Sequence, residues 1–484
     1  MTPRNLVLTG MMVGILAVLV RRAGDPDIFW HLRTAEWMLD NHAFPPHDLY
    51  TFTVSTHPWL DHDYLAELLI AVLYRIQGFT LVSIVFGAVT WLGFWFILKR
   101  IRVHGAPYLI TALAIGVGAL AANLVWGPRP QMFTFMFLCV ELYLLETFIA
   151  RRSKAVYWLP LIVVVWANFH TGVVIGLVFL GLTLAVEAIH AVVRREDATH
   201  RRNLRILGLI TLGSAVAILI TPEGFGLYRY AWENTFSSLQ ESFVREWHSP
   251  DFHMLNTRPF ELAILLLLVG FAFRRPRLHH IAQTLLVVVM GLQSVRHIAL
   301  FAAASTPVLA WSWGDAWEAL RRRPAIVDDF SRDVERARGL LAAGLAAIVI
   351  ATAAFIAYTL RAQTSATAAN FPVAASEWLA AHPNVGTRMF NEYAWGGYLA
   401  WRFYPDPNRR VFIYGETIVT GDALLTEYAD VFNLASDWHA ILVRENIDYA
   451  ILIPDSSLAG AMEQLPGWHT AYQDSVAIIF VRDQ

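Results

Sequence analysis

The sequence predicts a polytopic α-helical membrane protein with a small C-terminal α/β domain. Hydrophobic residues make up 56% of the 484 residues and gather in long blocks, while charged residues make up only 16%, against about 25% in soluble domains. From residue 362 onward, short β-rich runs at 388–390, 411–413, 449–453 and 476–481 alternate with helical patterns, which is typical of an α/β domain. The formal net charge of −2 gives no indication of nucleic-acid binding.

Apolar segments that approach the roughly 20 residues of a spanning helix predict about eleven transmembrane helices. Lys and Arg are more than twice as frequent in the loops after even-numbered segments as in the other loops. The positive-inside rule therefore places the N-terminus in the cytoplasm and the C-terminal domain outside. The first segment is followed by Arg21 and Arg22 rather than a cleavage site, so we expect a retained helix. The segments are 5–23, 80–98, 107–126, 131–150, 156–170, 172–193, 205–221, 259–273, 280–295, 297–313 and 339–360.

The predicted domain division puts a transmembrane domain at 1–361 and the extracytoplasmic domain at 362–484. Two outer loops are long, 21–79 and 222–258. The first holds two amphipathic stretches, 27–39 and 62–74, that we expect to lie flat on the membrane. The only cysteine, Cys139, lies in an apolar block, so no intrachain disulfide can form.

The first outer loop begins with two carboxylates, Asp25 and Asp27, followed by His31. Carboxylates at a membrane edge are costly and are usually kept for a task. With His31 one turn after Asp27, the set is suited to a hard divalent cation or to a general base. The alternative is that one of the two aspartates only caps the helix N-terminus.

A second acidic cluster, Asp61, His62 and Asp63, lies near the end of the same loop, with Glu67 one turn further. The cluster is a candidate site that would converge with the first one. Capping by Asp61, or a solvated helix face, is the structural alternative.

Arginines at the outer ends of two apolar segments are candidates for binding phosphate. Arg129 lies in Gly-Pro-Arg-Pro, and Arg296 precedes His297. A guanidinium matches phosphate oxygens and stays charged near lipid. The alternative is snorkelling to lipid headgroups.

Three further polar sites are candidates for substrate binding. His170, between two apolar segments, would line a cavity or merely sit in a tight turn. Arg245 and Glu246, in the second long loop, would close over a sugar or pair with each other. The aromatic-glycine motif at 391–398 would line a sugar-binding surface, although we favour a role in the domain core.

The order of these motifs resembles the GT-C glycosyltransferases, the superfamily that includes the protein O-mannosyltransferases. It is most similar to a group of bacterial multi-span proteins that share four motifs over nearly the whole chain. These are Asp-Pro-Asp-x-x-Trp-His-Leu, here 25–32, Trp-x-x-His-Asp/Glu, here 59–63, Arg-Pro-x-x-Phe, here 129–133, and Asn-x-Tyr-x-Trp-Gly-Gly-Tyr, here 391–398. The last lacks the aspartate of the oligosaccharyltransferase motif Trp-Trp-Asp-Tyr-Gly, so recognition of a peptide sequon is not implied.

The resemblance implies a GT-C-like fold in the bacterial inner (plasma) membrane and inverting transfer of a sugar from a polyprenyl phosphate. Asp27 would be the base, and Asp25 or Asp63 would position a metal or the acceptor. Arg129 and Arg296 would neutralise the leaving phosphate. The expected cofactor is a divalent cation, Mg²⁺ or Mn²⁺, at Asp25, Asp27 and His31. The expected acceptor is a hydroxyl of a lipid, a glycan or an exported protein.

Two other classes of function remain open from the sequence: a non-catalytic carrier or flippase of lipid-linked glycans, and a membrane scaffold with a binding domain. A transporter should carry charged or broken helices at mid-membrane and a weak internal repeat. The sequence has no evident repeat, and its polar residues lie mainly at the predicted outer ends of the spans, which favours the enzyme.

Overall fold

The computed structural model describes residues 1–193, 198–236, 245–321 and 337–483. The chain forms two compact units. The helical unit comprises the described parts of 1–21, 83–228 and 245–360. The α/β unit comprises 22–82, 229–236 and 361–483.

Apolar helices coincide with all eleven predicted segments. Four of them are long and apolar enough to cross a membrane by length and composition: Tyr64–His104, Gln131–Arg151, Val173–Val193 and Arg338–Arg361. This supports a membrane protein, while the count of eleven and the orientation stay predictions. The other helices at these positions are Pro3–Gly14 with Leu16–Leu19, Tyr108–Ala121, Leu159–Phe169, Ala198–Ala217, Arg258–Gly270, Leu278–Gln293 and Ile298–Arg321.

Small residues let these helices approach closely. A side chain at Gly93 would collide with the ring of Phe135, which belongs to the next helix but one. Close backbone approach of this kind is typical of helix packing in membranes. A cluster of leucines and other apolar side chains then fills the space between neighbouring helices; it includes Leu145, Leu159, Leu180 and Leu207.

The helix Tyr64–His104 is interrupted at Gln77 and Gly78. Gly78 has a φ of +61°, a conformation that side chains disfavour and glycine adopts freely. The break falls between the predicted amphipathic stretch 62–74 and the predicted span 80–98, so two expected elements form one helix with an internal bend.

The α/β unit contains a four-stranded sheet. Its strands are β1 (Met389–Asn391), β2 (Tyr449–Leu452), β3 (Trp468–Gln473) and β4 (Ile478–Arg482), in the order β1-β2-β4-β3. β1 and β2 are parallel, and the other two pairs are antiparallel. Helices Thr417–Phe432, Trp438–Arg444 and Ser457–Met462 contribute to the core against the sheet.

The strand predictions 388–390, 449–453 and 476–481 correspond to β1, β2 and β4. The predicted strand 411–413 is not one: it makes only an isolated bridge, between Thr51 and Val411. Strand β3 was missed because it is largely exposed and lacks the apolar run that marks a buried strand. Shorter helices of this unit are Asp27–Asn41, Gln363–Asn370, Val373–Ala381 and Gly396–Phe403, and Gly226–Phe236 ends in it.

The first loop and the C-terminal segment fold together in the α/β unit, a union that the sequence analysis did not predict. The backbone N–H of Phe52 donates to the carbonyl of Val411, and that of Val411 donates to Tyr50. The apolar face of Asp27–Asn41 is likewise covered by protein: Phe29 is fully buried against Phe371 and Tyr398. We had expected this helix to lie with its apolar face on lipid. That expectation is wrong, because protein covers this face instead.

Candidate active site

The two aspartates of the first motif have different partners. Asp25 Oδ1 accepts the backbone N–H of Asp27 at 2.8 Å, the contact expected of a capping residue. Asp27 begins the helix Asp27–Asn41, and its Oδ1 accepts the indole N–H of Trp30 at 3.0 Å. The capping alternative thus describes Asp25, whereas the carboxylate of Asp27 is oriented by a side chain.

The carboxylate of Asp27 packs against the backbone of Gly415. A Cβ at position 415 would overlap Oδ1 of Asp27, so only glycine leaves the carboxylate its place. Asp27 is half-buried, which places an oriented carboxylate at the surface of the α/β unit.

His31 is engaged by Glu67. Its Nδ1 lies 2.7 Å from Oε1 of Glu67, and both side chains are buried. Burial lowers the pKa of His31 to about 4, against the opposing effects of Asp27 and Asp25. The ring is therefore neutral near pH 7.

The second acidic cluster lies at the start of the helix Tyr64–His104. Asp61 Oδ1 accepts the backbone N–H of Asp63 at 3.2 Å, the contact expected if Asp61 caps the helix. His62 Nε2 lies 3.3 Å from Oδ2 of Asp63, and the His62 ring stacks on Tyr230 with 3.9 Å between centroids. Asp61 and Asp63 are both buried.

Glu416 joins these clusters and was missed by the sequence analysis. Its Oε2 is 4.0 Å from Nδ1 of His62, and its Oε1 accepts the Tyr230 hydroxyl at 3.5 Å. Burial raises the pKa of Glu416 well above its usual value, and the charges of Asp63 and Asp27 raise it further. Carboxylates from the first loop and from the C-terminal segment therefore share one neighbourhood, which we call the carboxylate cluster: Asp27, Asp61, Asp63 and Glu416.

The motif at 391–398 holds the segment that carries Glu416. Asn391 donates to the carbonyl of Ile413 at 2.9 Å and accepts the backbone N–H of Phe412 at 2.8 Å. A side chain at Gly396 would strike Ile413 and Tyr414, and one at Gly397 would strike the Pro26 carbonyl. Trp395 and Tyr398 are buried, so the motif serves the domain core and supports the carboxylate cluster through backbone contacts.

Asp48 fixes the same segment from the first loop. Its Oδ1 accepts the hydroxyl of Tyr414 at 3.0 Å, and its Oδ2 accepts the Thr51 hydroxyl at 2.6 Å. Burial raises the pKa of Asp48 although these hydrogen bonds lower it.

In the helical unit, the predicted phosphate-binding residues form a separate set. Arg129 makes an ion pair with Glu246, and the guanidinium of Arg296 lies 5.0 Å from the ring centroid of Trp247. Burial would raise the pKa of Glu246, but Arg129 and Arg296 hold it below its usual value.

Glu246, one of the two candidates in the second long loop, makes an ion pair with Arg129. The side chain of Arg245 lies outside the described residues. The hydroxyl of Ser294 donates to the Glu246 carbonyl at 2.8 Å, which ties this turn to the turn Val295–His297.

His170 occupies a tight turn of the helical unit. Its Nδ1 accepts the backbone N–H of Gly172 at 2.8 Å and lies 2.8 Å from the Thr134 hydroxyl. These contacts are the ones expected if His170 merely sits in a tight turn. The role of His170 in substrate binding stays a prediction.

Among the described residues, two groups of three side chains place metal-ligating atoms within 4.8 Å of one another. They are His104, Glu146 and His280, and Glu187, His190 and His200. Both lie in the helical unit, and neither contains Asp25, Asp27 or His31. The metal site predicted at those three residues stays a prediction.

No family model and no curated protein matches this sequence. Solved structures do match. The archaeal oligosaccharyltransferase AglB from Archaeoglobus fulgidus, in complex with an inhibitory peptide and a dolichol-phosphate, matches over 98% of this chain and 74% of its own, with a TM-score of 0.56 and 11% identity. This chain has the GT-C fold.

Two further structures with this fold are similar to the chain. The arabinofuranosyltransferase AftD from Mycobacteria matches over 100% of this chain and 40% of its own, with a TM-score of 0.50 and 14% identity. ArnT from Cupriavidus metallidurans, bound to undecaprenyl phosphate, matches over 98% of this chain and 97% of its own, with a TM-score of 0.49 and 15% identity.

Proposed function

We propose that this GT-C chain is a membrane glycosyltransferase that moves a sugar from a polyprenyl-phosphate donor to a hydroxyl acceptor on the outer face of the inner membrane. The carboxylate cluster carries the proposal, because an oriented, half-buried Asp27 lies beside other carboxylates in a fold shared with glycosyltransferases. AglB of that fold has been seen with a dolichol-phosphate, which supports a polyprenyl-linked donor here. The acceptor would be a lipid, a glycan or an exported protein.

Asp27 is the proposed base. The acceptor oxygen attacks the anomeric carbon while the bond from that carbon to the phosphate oxygen breaks, which inverts the configuration. The acceptor proton passes to Asp27, and the bonding electrons leave with the polyprenyl phosphate. Trp30 orients the carboxylate through its N–H, and Gly415 leaves room for it. Such positioned proton transfer typically contributes about 10²–10⁴-fold to a rate.

Arg129 and Arg296 are proposed to bind the donor phosphate. Arg129 is paired with Glu246, and the guanidinium of Arg296 lies over the indole ring of Trp247. Arginine is well matched to a phosphate through paired hydrogen bonds. Asp25 or Asp63 would position the acceptor or a metal, and His62 would contact the substrate.

A divalent cation such as Mg²⁺ or Mn²⁺ is the proposed cofactor. Carboxylate oxygens such as those of Asp25 and Asp27 are the ligands that hard cations prefer. When bound, the cation would supply positive charge toward the phosphate. His31 is less suited to the role because its Nδ1 is engaged by Glu67.

The proposal is tested with purified protein in nanodiscs and a panel of radiolabelled polyprenyl-phosphate sugars. We expect saturable binding of at least one donor. We also expect release of polyprenyl phosphate when lipid and glycan extracts of the cell envelope are added as acceptors. A flippase would bind the donor and leave the sugar bond intact. A scaffold would do neither, and either result would contradict the enzyme.

A further inference from the structure

A cluster of metal-ligating side chains in the helical unit has no part in the proposed transfer reaction. Glu187 and His190 lie three residues apart near the end of the helix Val173–Val193, and His200 lies near the start of the helix Ala198–Ala217. Residues at i and i+3 share one face of a helix. The fold therefore brings a Glu-x-x-His pair from one helix to a histidine of the next.

The geometry of this group suits a small cation. His200 Nδ1 lies 2.9 Å from Oε2 of Glu187, and His190 Nδ1 lies 3.9 Å from Oε1. The two imidazole rings are 4.8 Å apart between centroids. The three ligand atoms lie within 4.8 Å of one another, so small adjustments of these side chains would let them share one ion at the roughly 2.0–2.2 Å of zinc ligation.

Charge distinguishes the group of Glu187, His190 and His200 from the group of His104, Glu146 and His280. Glu146, in the group of His104, Glu146 and His280, already faces the guanidinium of Arg100, whose Nε is 3.1 Å from Oε2, so a cation there would meet a fixed positive charge. Glu187 is buried with a relative exposure of 3%, and within the described residues no lysine or arginine lies at ion-pairing distance from it. Arg201 and Arg202 of the neighbouring helix are exposed. A buried carboxylate is costly unless it is paired with a positive charge or coordinates a metal.

We propose that Glu187, His190 and His200 bind a Zn²⁺ ion that clamps the two helices together. Two imidazoles and a carboxylate are a ligand set that zinc accepts, and it leaves a fourth position for water or another ligand. The two histidines are partly exposed, which gives the ion a path to the site. Asn203 Nδ2, 3.4 Å from Oε2 of Glu187, supports the carboxylate from behind.

The clamp agrees with the packing of the two helices. Leu180 and Leu184 of the first helix pack with Leu207 and Ile210 of the second in one apolar cluster. Glu187 lies one turn beyond Leu184, where the apolar contacts give way to polar ones. A bound ion would link the two helices beyond the point where their apolar contacts end.

The test uses the full-length protein, purified in detergent through a tag without histidine and stripped with a chelator. Zn²⁺ is titrated against a competing chromophoric chelator, and the bound metal is counted by mass spectrometry. We expect one high-affinity Zn²⁺ per chain. His190→Asn and His200→Asn should each weaken it by at least about 10–100-fold, the range known for disturbed metal sites, and thermal stabilisation by Zn²⁺ should be lost with it.

The matched control is His104→Asn in the other group, which should leave the affinity unchanged. Glu187→Gln keeps the size and hydrogen bonding of the side chain and should weaken Zn²⁺ even if an alanine variant failed to fold. Unchanged affinity in both histidine variants, loss of Zn²⁺ only in His104→Asn, or no high-affinity Zn²⁺ in the unaltered protein would each overturn the proposal. Donor binding, measured separately, reports on the transferase proposal and not on this one.

Discussion

At the scale of single residues, the structure separates two aspartates that the sequence could only pair. Asp25 and Asp27 both precede an amphipathic stretch, so either could cap it. The backbone hydrogen bond to Asp25 and the indole hydrogen bond to Asp27 assign different tasks to them. Sequence spacing predicts that a helix begins here, but the partners of a carboxylate depend on the tertiary positions of Trp30 and Gly415.

Glu416 makes the stability of the α/β unit depend on pH. Because its pKa in the folded protein lies above its usual value, its contribution is fully present below the ordinary Glu pKa and is lost as the pH rises toward the folded one. One such group changes the unfolding free energy by about 1.4 kcal/mol per pH unit within this window. Glu416→Gln, which mimics the protonated acid, should therefore lose less stability than the unaltered protein as the pH rises above the ordinary pKa of a Glu side chain.

Thermal unfolding of the two proteins across this pH range measures the effect. Comparing the two proteins cancels the titration of other groups, including His31, whose lowered pKa acts in the opposite direction. Parallel pH profiles would show that Glu416 is ionised in the folded protein.

Arg296 permits a sharp test of phosphate binding. Loss of one charge-assisted contact typically costs about 1.5–3 kcal/mol, which corresponds to roughly ten- to a hundredfold in affinity. Arg296→Ala and Arg129→Ala should weaken the binding of polyprenyl phosphate to this extent, measured by equilibrium binding in nanodiscs. Arg258→Ala is the control, because Arg258 is exposed and paired with Glu261. Equal binding in all three variants would remove both arginines from the site.

At the scale of elements, the sequence predicted helices better than strands. Long apolar blocks mark helices independently of their surroundings, and the predicted segments overlap helices throughout the described residues. The run 411–413 failed as a strand because its backbone is bound by Asn391 and by the first loop instead of a full neighbouring strand. Glu416 was missed for the same reason, since nothing in the sequence links this segment to residues 25–63.

The segment after Val411 depends on Gly415. In Gly415→Ala, the new methyl group would displace the Asp27 carboxylate or push the segment away from it. Misplacement of a reacting group by about 1 Å can cost about 10²-fold in rate, so we expect turnover to fall by this order while donor binding persists.

Gly460→Ala provides the matched control. Gly460 lies in the helix Ser457–Met462 with no atom within 4 Å of an added Cβ. Alanine should stabilise this helix by about 0.5–1 kcal/mol and leave turnover unchanged. If Gly415→Ala also retained full turnover, the packing of Asp27 against position 415 would be irrelevant to catalysis.

At the scale of the whole molecule, the long apolar blocks predicted a membrane protein, and the order of motifs along nearly the whole chain, through its resemblance to a known superfamily, predicted the GT-C fold. The union of the first loop with the C-terminal segment was not predictable. It depends on contacts such as Tyr414 with Asp48, which join residues 366 positions apart.

The predicted orientation follows from the uneven distribution of Lys and Arg among the loops. Reporter fusions after Arg202 and after Gln484 should report the cytoplasm and the outside, respectively. A cytoplasmic C-terminus would mean that one span was miscounted and would place the carboxylate cluster on the wrong side for an outer-face donor.

The most direct test of the central claim is the turnover of Asp27→Asn, measured as release of polyprenyl phosphate from the donor that the unaltered protein binds. Asn keeps the size of Asp and most of its hydrogen bonding but cannot accept a proton. We predict that turnover falls by about 10²–10⁴-fold with donor binding and expression retained, while Asp25→Asn, an equally good cap, stays active. Full turnover in Asp27→Asn, with loss only in Asp25→Asn or Asp63→Asn, would transfer the role of base to that residue, and full turnover in all three would contradict the mechanism.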